Sequence, residues 1–192
     1  MLMVMIGAIE EGAGPDRNEL EALLLQVAAG DQDAFAQVYH RTRAAVYALA
    51  LSILKNTHDA QDITQDAFVR VWESAPGYRP QGSPMAWMLT ITRNLARMKL
   101  RQNARHVDLD EAEWDAIPAD LPDVTPEDRH LLQTALATLT DEERKVILLH
   151  AVSGLKHREI AAVLEMPLPT ALSKYHRAMK KLRAFAKGDD SL

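Results

Sequence analysis

The chain has 192 residues, which suits one medium domain or two small ones, and 47% of them are hydrophobic, enough to bury a core. It contains no cysteine, which excludes disulfides, cysteine-held zinc and a thiol switch within the chain. Its net charge of −5 argues against a stand-alone nucleic-acid binder, but the charge is unevenly placed along the sequence.

Residues 1–17 read as an N-terminal extension. The opening MLMVMIGAIEEG lacks the basic start and full apolar stretch of a secretory signal. No apolar run reaches the roughly 18 residues that cross a bilayer, so membrane insertion is not expected and the cytoplasm is the expected location. Aromatic residues make up only 5%, Ala and Leu are abundant, and no alternating β-branched run occurs. The expectation is therefore an all-α fold.

Residues 18–102 carry four predicted helices. The first covers about 19–29 and stops at Gly30. Asp31 is a good N-cap for the second, which runs towards Leu54 with Phe35, Val38, Tyr39, Val46, Ala50 and Ile53 on one apolar face. The third starts at Asn56 or Thr57, with Ile63, Ala67, Phe68, Val71 and Trp72 inward and Asp62, Gln65, Asp66 and Arg70 elsewhere. After the loop SAPGYRPQGS, Ser83 caps a fourth helix with Pro84 in its first position. In this helix Trp87, Ile91, Leu95 and Met98 share one face, and Thr90, Arg93, Asn94, Arg97 and Arg101 share another.

Residues 103–125 form a predicted acidic linker. Between Val107 and Asp128 every charged residue is a carboxylate, and Pro118, Pro122 and Pro126 break regular structure. Trp114, Ile117 and Leu121 are apolar enough to dock on a domain.

Residues 126–188 carry the second predicted domain. A helix at about 126–139 is followed by TDEERKVILLHAVS, with Thr140 and Glu143 as a capping box and Gly154 as the stop. A short helix at 156–165 places Ile160, Ala161 and Leu164 inward. A tight turn at 166–169 leads into a last, basic helix to about Lys187, with Leu172 and Tyr175 as candidate core residues. Short helix, tight turn and longer basic helix is the helix-turn-helix pattern.

The fourth helix has the chemistry to track a nucleic-acid strand. Arg reaches phosphates with two donors, and Asn pairs with an adenine edge. Tyr78 and Arg79 in the preceding loop add an aromatic beside a positive charge, which suits an unstacked base. The same row of charges also describes a solvated helix face. Trp72 and Trp87, which flank the loop, are better read as core than as nucleotide platforms.

The blocks GDQDAFAQVYHRTRAAVYALALSIL, DAQDITQDAFVRVW and GSPMAWMLTITRNLARMKLRQ resemble, in order and spacing, the second conserved region of extracytoplasmic-function sigma factors. The resemblance implies that Asp62, Gln65 and Asp66 meet the clamp helices of the polymerase β′ subunit. It also implies that the fourth helix and its loop open the −10 element, with Asn94 and Arg97 on the strand and residues 78–85 around a flipped base.

LKHREIAAVLEMPLPTALSKYHRAMKKLR resembles the fourth conserved region of the same family, which reads the −35 element in duplex DNA. In such a motif the start of the second helix meets base edges in the major groove. Thr170, Ser173, Lys174, His176 and Arg177 stand there, while Lys174, Lys180 and Lys181 look like phosphate contacts. Glu165 and Pro169 replace common glycines, and Leu172 stands where many members carry a basic residue.

The implied partners are core RNA polymerase (β′ clamp helices and β flap), promoter DNA and an anti-sigma factor. A stand-alone helix-turn-helix regulator and a sigma-like decoy for an anti-sigma factor are the alternatives. No catalytic dyad, phosphate-binding glycine loop, cofactor motif or HExxH spacing appears, so neither an enzyme nor a metal or cofactor site is expected. His150 and His157 lie on either side of Gly154 and are not expected to share a helix face.

Overall fold

A computed structural model describes residues 14–103 and 126–188. The expected acidic linker and most of the expected N-terminal extension lie outside the described residues. The described residues carry eight α-helices and no strand, divided between two compact units.

The first unit holds α1 (Arg17–Ala28), α2 (Gln32–Leu54), α3 (Thr57–Ser74) and α4 (Pro84–Asn103), with a 3-10 turn at Ala75–Gly77. Local chemistry sets the helix starts. Asp16, Asp31 and Asn56 accept hydrogen bonds from the amides of Glu19, Ala34 and Asp59, each at 2.9 Å, and Ser83 Oγ accepts from Ala86 N at 3.2 Å. The long α2 is central and packs on α1, α3 and α4. Val38, Val46 and Ala50 of its predicted face are buried, while Phe35, Tyr39 and Ile53 are half-buried. Phe35 meets Trp72 at 5.1 Å, and Tyr39 meets Phe68 at 4.7 Å.

The apolar face predicted for α4 is not the one its neighbours cover. Trp87, Ile91 and Leu95 are half-buried and Met98 is exposed; the face packed on α2 and α3 carries Met85, Met88, Leu89, Thr92 and Ala96. This helix is apolar on more than one side, so spacing alone cannot choose which side the neighbours cover.

The second unit holds α5 (Pro126–Ala137), α6 (Asp141–Ser153), α7 (His157–Leu164) and α8 (Leu168–Ala186). The predicted capping box is formed: Glu143 N donates to Thr140 Oγ1, and Thr140 N donates to Glu143 Oε2. Gly154 ends α6 at φ 63°. Glu165 ends α7 at φ 55°, in left-handed backbone that a side chain resists, which explains why glycine suits this turn. Leu136, Leu139 and Ile147 pack with Met179 and Leu182 of α8 to form the core of this unit.

A buried guanidinium supports that core. Arg144 donates to the carbonyls of Leu136 and Leu139, each at 3.0 Å, and so satisfies the otherwise open end of α5.

Candidate nucleic-acid interface

In the first unit, the polar side chains of α3 and α4 separate into two surfaces. On α3, Asp62, Gln65 and Asp66 are exposed together at helical spacing, and Val69, one turn on, is 58% exposed. On α4, Asn94, Arg97 and Arg101 are exposed. Lys99 and Asn103 bind Asp59 at 3.1 and 2.7 Å, tying the end of α4 to the start of α3.

Two expected members of the α4 surface are placed differently. Arg93 is only 6% exposed, and its Nε and Nη2 donate to Asn94 Oδ1 at 3.3 and 2.9 Å. Arg93 is therefore buried within the unit, where exposure on the α4 surface was expected. It occupies the amide oxygen of Asn94, which leaves the Asn94 NH2 as that side chain's outward donor. Tyr78, expected in an exposed loop, is 6% exposed and lies tilted against Trp87 at 4.9 Å. Its hydroxyl is buried without a hydrogen-bond partner among the described residues. Burial first, and the nearby Glu21 second, hold that hydroxyl above its ordinary pKa, against the opposing charge of Arg17. The ring needs apolar cover more than the Gly/Pro loop needs a polar tip, so the chain turns it inward.

Arg79 is exposed and donates to the Tyr78 carbonyl at 3.0 Å. At the far end of the loop, Arg17 of α1 donates to the Gly82 carbonyl at 2.7 Å. Arg17 falls in the stretch read as an extension, and no local pattern reports a contact made across 65 residues.

In the second unit, Ser173, His176, Arg177 and Lys180 form the exposed face of α8, with Thr170 half-buried at its start. Lys174 and Lys181, expected to bind phosphates, are engaged within the unit. Lys174 Nζ pairs with Glu142, and Lys181 Nζ meets Glu143 Oε2 at 2.7 Å. Arg177 Nε lies 3.9 Å from Glu143 Oε1. Lys174's hydrogen bond, reinforced by its charge, holds the Glu142 carboxyl below the usual range. Glu143 is 4% exposed; burial alone would raise its pKa, but bonds from Lys181 and Thr140 outweigh that and lower it. Glu143 was legible as a capping residue and not as an acceptor for a helix 38 residues away.

The histidines of this unit also come together. His150 and His157 stand on different helices, yet the Gly154 turn brings their rings to 5.0 Å, and Tyr175 of α8 meets both edge-on at 5.2 and 4.4 Å. His150 Nδ1 donates to the Leu155 carbonyl at 3.0 Å, while His157 Nε2 is buried without a partner among the described residues. Burial, then His150 and His176, push the His157 pKa down. No cluster of three or more metal-ligating side chains occurs among the described residues.

These features define a two-module, all-helical protein with a helix-turn-helix in one module and a basic helix in the other. The sequence matches sigma-70 region 2 over residues 38–106 and sigma-70 region 4 over residues 129–182. It is 35% identical over 173 residues to the ECF RNA polymerase sigma factor SigK of Mycolicibacterium vanbaalenii, covering 86% of this chain and 88% of that one. It is 34% identical over 180 residues to SigK of Mycobacterium bovis, covering 88% and 96%. The fold is similar to CnrH, solved with the cytosolic domain of CnrY (TM-score 0.59, 27% identity, 91% of this chain and all, 100%, of that one). It is also similar to RpoE of Bartonella quintana, solved with the anti-sigma factor NepR (TM-score 0.56, 25% identity, 81% and 98%).

The chain belongs to the extracytoplasmic-function (ECF) RNA polymerase sigma factors. It is thus an initiation subunit that joins core RNA polymerase and directs it to promoters. Among the described residues no helix is long and apolar enough to cross a membrane.

Proposed function

We propose that the two polar surfaces of the first unit divide the work of initiation. The face of Asp62, Gln65 and Asp66 docks on the polymerase β′ clamp helices. The face of Asn94, Arg97 and Arg101, with Arg79 in the adjoining loop, holds the opened −10 strand. The observation that carries this reading is that the acidic and basic sets are exposed on different helices, α3 and α4, so both can be engaged at once.

On α8, Ser173, His176 and Arg177 read the −35 element, with Thr170 at the groove entrance and Lys180 on a phosphate. Lys174 and Lys181, held by Glu142 and Glu143, orient the helix. Unstacking a base costs a few kcal/mol, and a chain of net charge −5 has little general affinity for DNA. Contacts shared with polymerase, including the β flap, offset that cost.

In the cytoplasm an anti-sigma factor covers these surfaces; the similar folds of CnrH and RpoE solved with CnrY and NepR support this. The test separates the two faces. Asp62→Lys with Asp66→Lys should weaken capture of core polymerase at least about tenfold. Asn94→Ala should impair promoter opening while core capture stays within about twofold. Equal loss of both functions in both variants would overturn the division.

A further inference from the structure

We propose that Arg17, in the first turn of α1, is a positioning residue for the −10 loop: its guanidinium fixes the loop backbone at Gly82 and so holds the base-capturing segment ready. The proposal rests on the −10 reading given above and extends it to a helix that carries none of the proposed DNA contacts.

The loop between Tyr78 and Ser83 is exposed along Arg79, Pro80, Gln81 and Gly82. It has an apolar anchor at one end, where Tyr78 is buried against Trp87. At the other end Arg17 donates to the Gly82 carbonyl at 2.7 Å, one residue before Ser83 caps α4. Inside the span the backbone turns on itself, with Gln81 N donating to the Arg79 carbonyl at 2.7 Å. Both ends are therefore held, and α4, which follows at once, inherits its starting direction from the second anchor.

The chemistry suits an anchor rather than a chance contact. Arg keeps its charge at any working pH and presents donors in a rigid fork, so it loses less freedom per bond than Lys. Arg17 is the first residue of a helix whose N-cap, Asp16, is bonded to Glu19 N, and α1 packs on the 3-10 turn that starts the loop. The donor thus comes from a rigid element. A Cβ added at Gly82 would meet nothing within 4 Å, so close packing does not dictate the loop's path there, and the link to its carbonyl does. A loop already ordered spares the ordering cost when a base is captured, which is where preorganisation improves binding.

The experiment uses the full chain bound to core polymerase and two forms of one promoter: an intact duplex, and the same DNA mismatched across the −10 region so that it is already open. Arg17→Ala should lower transcript from the duplex about three- to tenfold, the loss expected for one solvent-exposed hydrogen bond. Transcript from the open template and capture of core polymerase should stay within about twofold. Arg17→Lys should retain more than Arg17→Ala, since one donor and the charge remain. Glu19→Gln, which breaks the exposed pair of α1 with Arg41 away from the loop, should match the wild type on both templates.

Wild-type activity on duplex with an unchanged Arg17→Ala variant would overturn the positioning role. So would an equal loss on both templates, which would mean a general structural defect. If the wild type fails on both templates, the −10 reading itself falls.

Discussion

The two units solve the same problem, a stable helical base for an exposed basic helix, with different interiors. In the first unit the buried polar groups are mostly hydroxyls that bond back to their own helix: Thr42 to Val38, Thr64 to Ala60 and Thr92 to Met88, at 2.6, 2.7 and 3.0 Å. In the second, smaller unit the interior contains a carboxylate and a guanidinium, Glu143 and Arg144, which bond to other elements, whereas the buried Arg93 of the first unit bonds to its neighbour Asn94. A small domain buries a smaller share of its apolar surface, so specific polar links carry more of its order. Basic residues on one helix thus differ in what holds them: Lys181 joins the interior network through the buried Glu143, whereas Lys174 pairs with the exposed Glu142 at the surface.

The largest expected effect follows from that network. Glu143→Ala strands Lys181 and removes one half of the capping box, so it should lower unfolding stability by about 3 kcal/mol. Thr42→Val in the first unit removes only a bond within one helix and should cost below about 1 kcal/mol. Denaturant unfolding of the full chain, followed in each unit, checks the pair; equal costs would erase the contrast.

A second effect concerns α8. Arg177→Ala should weaken holoenzyme binding to the −35 element by about 1–3 kcal/mol, whereas Lys174→Ala, whose charge is already paired with Glu142, should cost less than about 1 kcal/mol. Competition binding with duplex fragments measures both. A larger loss at Lys174 would return it to the phosphate contacts.

Acid should separate the units as well. The His157 pKa is below its ordinary 6.5 in the folded chain, so the unfolded state takes up its proton first as pH falls. The stability His157 contributes is intact above 6.5 and declines as pH drops through the lower folded value. Glu143, lowered from 4.5, adds a second loss in more acidic solution. His157→Phe should flatten the first decline, read from unfolding midpoints between pH 7.5 and 5.5. The smallest effect is at the α7–α8 turn, where Glu165→Gly should raise stability by about 0.5–1 kcal/mol by relieving left-handed backbone.

Much of this arrangement was legible from local chemistry. The N-caps Asp31 and Ser83, the helix start at Asn56 or Thr57, the Thr140–Glu143 box and the Gly154 stop are short-range signals, and each sits where its pattern placed it. Exposure of Asp62, Gln65, Asp66, Asn94, Arg97, Ser173 and Arg177 also followed from helical spacing. What escaped depended on partners distant in sequence. Arg93 and Tyr78 carry polar tips that suggested solvent, but their stems and rings are claimed by neighbouring helices. The pairs Lys174–Glu142 and Arg17–Gly82 leave no periodic trace, because nothing within a helix turn encodes them.

The central claim is that this chain turns core polymerase into a promoter-opening enzyme through two separate surfaces. Its most direct test is run-off transcription with the purified chain, sigma-free core polymerase and duplex DNA from its native promoters. The expected transcripts require the chain, are lost with Asp62→Lys/Asp66→Lys through failed core capture, and are reduced with Asn94→Ala although core is captured. Absence of any transcript from the wild-type chain, with core capture also absent, would contradict it.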